Sequence, residues 1–280
     1  MKKLVILFLA VFLIAGTATA QLDGLSAGAE IGVVDFNYAS DSFFLRPFAE
    51  YEMELGLGID LHAKLGIPFG FGPQGWLGID WNVKAVYNFQ LGFDSQLDVF
   101  LENWTYIPLG SDTVLLTTNT LGSPWMYAGT AESYLGLGAK YTRMMSFGEV
   151  FGIVEMPFVL FQADGMSPFD WVGFNLTGGV ELPSGIGGGL KINNNLRPKL
   201  NLFINMGLFG FYRMDPFLFG LDMGVPLFKD GIKTHGITFM PSVKYDLDNR
   251  ITIFASIPVM RIGSEYDMAI GLNLGAKYDF

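Results

Sequence analysis

The chain contains no cysteine, so neither a disulfide framework nor a cysteine-based metal site organises it. It has two histidines, His62 and His235, and neither stands in an HExxH or any comparable metal or triad motif. Basic residues are also scarce, 17 Lys and Arg against 27 Asp and Glu, for a net charge of −10. That balance argues against nucleic acid or an anionic membrane surface as a partner. Beyond Ile14 no apolar run approaches the roughly 18–20 residues that a spanning helix needs. The glycines Gly185, Gly187, Gly188 and Gly189 precede a strand pattern rather than a helix, so they do not make a phosphate loop. No calcium-loop pattern occurs. These absences remove cofactor-dependent enzymes and helical membrane proteins from consideration, and no cofactor is expected.

What is present is apolar. Hydrophobic residues make up 50% of the chain, with 36 glycines and 26 phenylalanines, and mean hydropathy is +0.36. The start reads as an export signal. Lys2 and Lys3 precede the apolar run Leu4 to Ile14, and Ala18-Thr19-Ala20 is the small-x-small pattern of a cleavage site. Residues 1–20 are therefore expected to be removed and residues 21–280 to form one domain. No cysteine follows the cleavage point, which excludes a lipid-anchored lipoprotein. An exported, apolar chain without spanning helices points to the other structure a bilayer accepts, a closed β-barrel.

Period-two alternation runs the length of the chain. From Leu77 the odd positions read Leu77, Ile79, Trp81, Val83, Ala85, Tyr87, Phe89 and Leu91. Between them lie Gly78, Asp80, Asn82, Lys84, Val86, Asn88 and Gln90. An apolar face opposite a mostly polar one is what a lipid-facing strand around a wet interior requires. Such runs begin near Leu25, Phe43, Leu55, Trp76, Gln96, Ser133, Val150, Trp171, Ile186, Lys199, Pro216, His235, Arg250 and Tyr266. The expected fold is all-β, a transmembrane antiparallel up-and-down barrel of about 14 strands, with 12 to 16 admitted. The phase of Val150 to Phe161 is not readable.

Turn signals set the topology. Gly92-Phe93-Asp94-Ser95, Ser146-Phe147-Gly148-Glu149, Arg213-Met214-Asp215 and Asp248-Asn249 fall after every second strand, as short periplasmic turns would. Longer connections alternate with them, the largest running from Tyr106 to Thr130. It is read first as an external loop and second as a constriction folded inward. Tyr51, Tyr87, Tyr141, Tyr212, Tyr245 and Tyr278 lie near the lower ends of descending strands in the lipid-facing phase, as half of an aromatic girdle. Ile67-Pro68, Ile107-Pro108, Met156-Pro157, Val225-Pro226 and Ile257-Pro258 fall towards the upper ends of ascending strands, where proline would mark the rim at which pairing stops.

The final strand ends on phenylalanine. Its last residues, Asn273-Leu274-Gly275-Ala276-Lys277-Tyr278-Asp279-Phe280, resemble the C-terminal assembly signal of bacterial outer-membrane β-barrels, with Asn273, Gly275, Tyr278 and Phe280 filling the pattern. The resemblance implies insertion into the outer membrane of a double-membraned bacterium, with a terminal strand that closes against the first. It also implies recognition by the barrel-assembly machinery, with periplasmic chaperones and outer-membrane lipids as further partners. In size the chain is similar to small porins, but no motif ties it to one family.

The inward phase carries both charge signs. Glu30, Glu50, Glu52, Asp60, Asp80, Asp98, Glu102, Glu181 and Asp222 face Arg46, Lys64, Lys84, Lys140, Lys191, Lys244 and Lys277. So many charges in a dry core would be costly, and a wet lumen resolves that. The leading expectation is a passive pore for ions or small polar solutes, with charged residues setting selectivity and acidic excess favouring cations. Glu30, Arg46, Glu50, Asp60, Lys64, Asp80, Lys84, Asp98, Glu102, Lys140 and Lys244 are its selectivity candidates. Two alternatives stand beside it. Inward Phe44, Phe48, Phe100, Phe203, Phe209 and Phe211 would line a pocket in a carrier of hydrophobic molecules. A structural or adhesive surface barrel would work through its loops alone.

Overall fold

The computed structural model describes residues 24–33, 43–71, 77–109, 114–118, 124–128, 132–162, 172–196, 203–228, 231–232, 238–248, 250–261 and 268–280. The expected signal segment, the expected strand starts at Trp76, Trp171, Lys199, His235 and Tyr266, and parts of the Tyr106 to Thr130 connection lie outside them.

The first wall strands are β1 (Leu25–Val33), β2 (Phe43–Gly56) and β3 (Ile59–Gly66), the last carried on by β4 (Phe69–Gly70). Then come β5 (Gly78–Gln90) and β6 (Ser95–Pro108), and after a separate hairpin of β7 (Val114–Thr118) and β8 (Pro124–Ala128), β9 (Glu132–Met145). The wall continues through β10 (Gly148–Gln162), β11 (Val172–Glu181), β12 (Ile186–Leu196), β13 (Phe203–Met214) and β14 (Phe217–Phe228). A short β15 (Gly231–Ile232) pairs with the end of β14. It is followed by β16 (Thr238–Asp246), β17 (Ile251–Ser256) with its continuation β18 (Val259–Arg261), and β19 (Met268–Ile270) leading into β20 (Leu272–Asp279).

Every wall strand pairs antiparallel with its neighbours in the chain, and β20 pairs with β1, closing a barrel of 14 strands. Followed once round the ring, the registers displace the starting strand by about 16 residues, which for 14 strands sets a tilt of about 38° and a backbone diameter of about 27 Å. Eight strands would be filled by side chains, whereas this circumference leaves space inside them.

The turns fall at one end, after β2, β5, β9, β11, β13 and β16, and both chain termini of the barrel lie there. The expectation of one short-turn end is met, with two turns the sequence did not announce. One is Gly56-Leu57-Gly58, where all three residues have positive φ, of 76°, 54° and 76°, a conformation that glycine adopts without steric cost. This places the start of β3 at Ile59 rather than Leu55. The apolar phase happens to continue through Leu57, yet Leu57 is a turn residue and almost fully exposed.

The proline dipeptides behave differently from expectation. The β2 register that pairs Phe48 with Gly66 also pairs Phe44 with Gly70, so the strand runs unbroken through Ile67-Pro68. Ladder bonds flank the gap, with Ile67 N donating to Pro47 O at 3.0 Å and Gly78 N to Pro68 O at 2.9 Å. Ile257-Pro258 repeats this, and β10 and β14 continue past Pro157 and Pro226. Proline removes one donor without ending the strand, because its carbonyl still accepts. Of these dipeptides, only Pro108 closes its strand.

Outward positions form an apolar belt. Ile31, Leu65, Val83, Leu101, Leu137, Val154, Leu190, Leu208, Leu221, Ile253 and Leu274 are all exposed, which in water would be an aggregation surface and in lipid is the required one. The six tyrosines lie at the short-turn edge of this belt, and phenylalanines join them. Tyr87 meets Phe89 at 4.3 Å, Phe217 meets Tyr245 at 4.7 Å and Tyr278 meets Phe280 at 5.0 Å between ring centroids. Towards the other edge, Phe43 and Phe69 close on Phe71. Asn103, Thr105 and Ser133 interrupt the belt on β6 and β9. They satisfy one another: Thr105 Oγ1 and Ser133 Oγ lie 2.7 Å apart, and Trp81 Nε1 donates to Asn103 Oδ1 at 3.0 Å. Thr105 and Ser133 are buried, and leaving those groups unpaired there would be costly.

Candidate functional site

The register places every selectivity candidate on the inner face. Glu30 stands opposite Arg46, Glu50 opposite Lys64, Lys84 opposite Glu102, and Asp98 opposite Lys140. Asp60 and Asp80 share the β3–β5 inner rows with Val86 and Gly66, and Lys244 faces Phe254.

The structure joins several of these into one network across β20, β1, β2, β3 and β5. Arg46 clasps Asp80 through Nε at 2.8 Å and Nη2 at 2.5 Å, and reaches Glu30 through Nη1 at 3.1 Å. Such a forked contact is the strongest form of ion pair. Lys64 lies 3.8 Å from Glu30 and 2.8 Å from Glu50, and Lys277 lies 3.4 Å from the same Glu50. Beside it Glu102 binds Lys84 at 3.5 Å and accepts from Asn82 at 2.5 Å. On the far wall Lys191 pairs with Asp222, both buried.

Sequence reasoning missed Glu155. It is buried on the inner wall of β10 and accepts a hydrogen bond from Asn175 at 3.2 Å. Its phase was hidden because inward Phe151 and Ile153 make both faces of β10 apolar, and a bulge between Val159 and Phe161 shifts the register. Glu54, Glu149, Arg213, Asp246 and Asp279 also face inward, and only strand pairing reveals this for residues so close to turns.

At the short-turn mouth the acids gather. Glu52, Glu54, Asp60, Asp98, Glu149, Glu181, Asp246 and Asp279 occupy the last inner rows of β2, β3, β6, β10, β11, β16 and β20. Glu149 stands directly opposite Glu181, and Glu54 opposite Asp60. The basic side chains facing them are His62, 3.6 Å from Glu52, Arg213, 3.4 Å from Glu181, Lys244, 3.2 Å from Asp246, and Lys277, 3.2 Å from Asp279. Glu52 is 64% exposed at its side chain and Arg213 61%, so this mouth is open to water.

The described inward phenylalanines lie against the wall: Phe44 covers Gly32, where an added Cβ would stand 2.9 Å from its ring. Phe48 lies flat over Gly28, where an added Cβ would stand 2.5 Å from its ring. Phe100 covers Gly138, Phe211 covers Gly187, Phe254 covers Gly275, and Phe151 and Phe209 both cover Gly179. Lysines take the other faces: Lys64 is 4.2 Å from the Phe48 centroid, Lys84 4.1 Å from Phe100, Lys191 5.2 Å from Phe209 and Lys140 6.0 Å from Phe151. Phe48, Phe100, Phe151 and Phe209 are thus spacers between backbone and ammonium, an arrangement favoured by the ring quadrupole. The side chain of Phe203 lies outside the described residues.

In the terminal strand, Asn273 and Gly275 face inward, and Tyr278 faces outward in the girdle. The Phe280 amide donates to Leu25 O at 3.0 Å, tying the end of the chain to its first strand.

No family model matches the sequence, and no curated protein matches it. Solved structures do match in fold. The outer membrane protein Omp33 of Acinetobacter baumannii is 9% identical with a TM-score of 0.51, over 92% of this chain and 98% of its own. The toluene transporter TodX of P. putida is 10% identical, TM-score 0.49, over 92% and 90%. The KdgM porin, solved in complex with disordered oligogalacturonate, is 7% identical, TM-score 0.44, over 91% and 99%. What the chain shares with Omp33 is the fold, a closed antiparallel β-barrel.

Proposed function

We propose that this protein is an outer-membrane diffusion channel for ions and small polar solutes, with a weak preference for cations. The observation that carries the reading is the acidic ring at the short-turn mouth, open to water and only partly offset by Arg213, Lys244 and Lys277. Such a ring raises the local cation concentration at a pore entrance. The outer wall supports the membrane setting, and its terminal strand supports delivery by the barrel-assembly machinery with periplasmic chaperones. Catalysis is no part of the reading. A carrier of hydrophobic molecules is the less favoured reading, because Phe48, Phe100 and Phe209 lie between glycine backbone on one side and a lysine on the other.

Conductance of the refolded, signal-free protein in a planar bilayer tests this. Discrete steps are expected, with a reversal potential of the cation-preferring sign in a salt gradient. Replacing Glu52, Glu54 and Asp60 with their amides should move that potential towards zero. A folded barrel that passes no current, or one whose selectivity ignores these substitutions, defeats the proposal.

A further inference from the structure

Beyond the mouth ring, the acids of the inner wall are matched by cations. Arg46 takes Asp80 and Glu30, Lys64 and Lys277 share Glu50, Lys84 takes Glu102, and Lys191 takes Asp222. Glu155 is the exception: it makes no ion pair among the described residues, and only 7% of it is exposed. One carboxylate oxygen, Oε2, accepts from Asn175 at 3.2 Å. The other, Oε1, has no hydrogen-bond partner among the described residues. It lies over the bare backbone of Gly136, 2.5 Å from where a Cβ would stand. A buried carboxylate without a compensating charge is costly.

Its surroundings define what would compensate it. Gly136 stands directly opposite Glu102 on β6, so the two carboxylates approach one another across a glycine. The charged neighbours that act on Glu155 are Glu102 and Lys84, and Lys84 is already engaged 3.5 Å from Glu102. Lys140, on the adjacent β9, lies 6.0 Å from the centroid of Phe151, which is nearer the short-turn mouth. The Glu155 carboxylate reaches the other way, towards Gly136. On β11 its inward neighbours Asn175 and Thr177 are uncharged. Two carboxylates against one ammonium leave one negative charge, the complement of one monovalent cation.

The mouth ring does not perform this task at a distance. Glu155 stands about 20 Å along β10 from Glu149, farther than the roughly 8–10 Å over which a charge is felt at physiological salt. Resting on the channel reading, we propose that Glu155, with Glu102 beside it, is a docking station for a permeating monovalent cation and sets the preference for cations inside the lumen. The cation meets the free Oε1, and Asn175 holds the other oxygen in place.

The test is the potassium-over-chloride permeability ratio of the whole mature protein, read from reversal potentials in gradients at low salt and near 1 M. At 1 M the Debye length is about 3 Å, which silences the mouth ring but not a direct contact. Glu155→Gln removes the charge and keeps an acceptor for Asn175. It is expected to lower the ratio about fivefold at both salts, the factor for one charge contact of about 1 kcal/mol in water. Gly136→Ala changes no charge, but its methyl group displaces the end of a flexible side chain, since its three nearest atoms all belong to Glu155. It should lower the ratio in the same direction, and it decides the matter if the Glu155→Gln barrel does not fold. Replacing Glu52, Glu54 and Asp60 with their amides should act at low salt alone. A ratio left unchanged by Glu155→Gln or by Gly136→Ala, or changed at low salt only, overturns the station while leaving the channel standing. If the parent passes no current, the channel reading fails and the station falls with it.

Discussion

Gly275 is part of the C-terminal motif, and its geometry assigns it a mechanical task that can be separated from recognition. An added methyl group would lie 2.2 Å from Cζ and 2.4 Å from Cε2 of Phe254, and its three nearest neighbours all belong to that one ring. The ring has little freedom to retreat, with Phe48 at 6.5 Å between centroids and Lys244 opposite on β16. Forcing a methylene into such a site costs about 1–3 kcal/mol, roughly a 5- to 150-fold loss in the folding constant. Urea unfolding from lipid vesicles, followed by tryptophan fluorescence, should show Gly275→Ala destabilised by that amount. Phe254→Leu vacates the space that the methyl would take. The double variant should therefore be more stable than the two single losses added together, by about 1 kcal/mol or more. Strict additivity, or a Gly275→Ala barrel as stable as the parent, refutes the reasoning. Vesicle folding involves no assembly machinery, so a double variant that folds there but fails in cells would assign the glycine a second task in recognition.

Arg46 makes the inner network depend on Asp80. Asp80→Ala leaves a buried guanidinium with Glu30 as its near partner, and a loss of about 3 kcal/mol is expected in the same urea assay; a change under about 0.5 kcal/mol would show that water fills the gap. At the short-turn end, the Asp94 carboxyl is held below the usual carboxylate range by its hydrogen bond from Ser95 and by Arg143. A depressed carboxylate contributes stability that is complete above its ordinary value and is lost as pH falls through the folded one. Carbon-detected NMR titration should find Asp94 titrating below Asp in a short model peptide, and Arg143→Gln should raise it. On the outward side of β6, Thr105→Val removes a buried hydroxyl shared with Ser133 and should cost about 1 kcal/mol, with no change in conductance.

The barrel was legible because its wall is one layer thick. Each residue has only two places to point, and alternation from Leu77 to Leu91 states which. The girdle was legible for the same reason, since tyrosine in the lipid phase near a turn has one sensible depth. Legibility failed where the two faces stop differing in polarity. Phe151 and Ile153 are as apolar as the lipid-facing residues beside them, so Glu155 could not be assigned a side. It failed again at Leu57, whose left-handed turn is invisible to a period-two count. The proline dipeptides misled because a missing donor looks, in one dimension, like the end of a strand, whereas in the sheet the neighbours keep the register. Of the lumen, sequence supplied part of the membership but not the partners. Arg46 and Asp80 are 34 residues apart, and only the ring of registers brings them together.

The seam between β1 and β20 joins the two ends of the described barrel, Ala27 lying beside Tyr278. The other wall pairings join consecutive strands and can form as local hairpins, but this one must wait for the last strand. Until it forms, the sheet carries two unpaired edges, each a template for the wrong neighbour. The loop that must be closed is nearly the whole molecule, so closure is the slow and non-local event. A chain interrupted before its last strand therefore yields an open sheet with nothing to enclose, not a narrower tube. Having a hole at all is an all-or-none property of this molecule, decided when β20 meets β1.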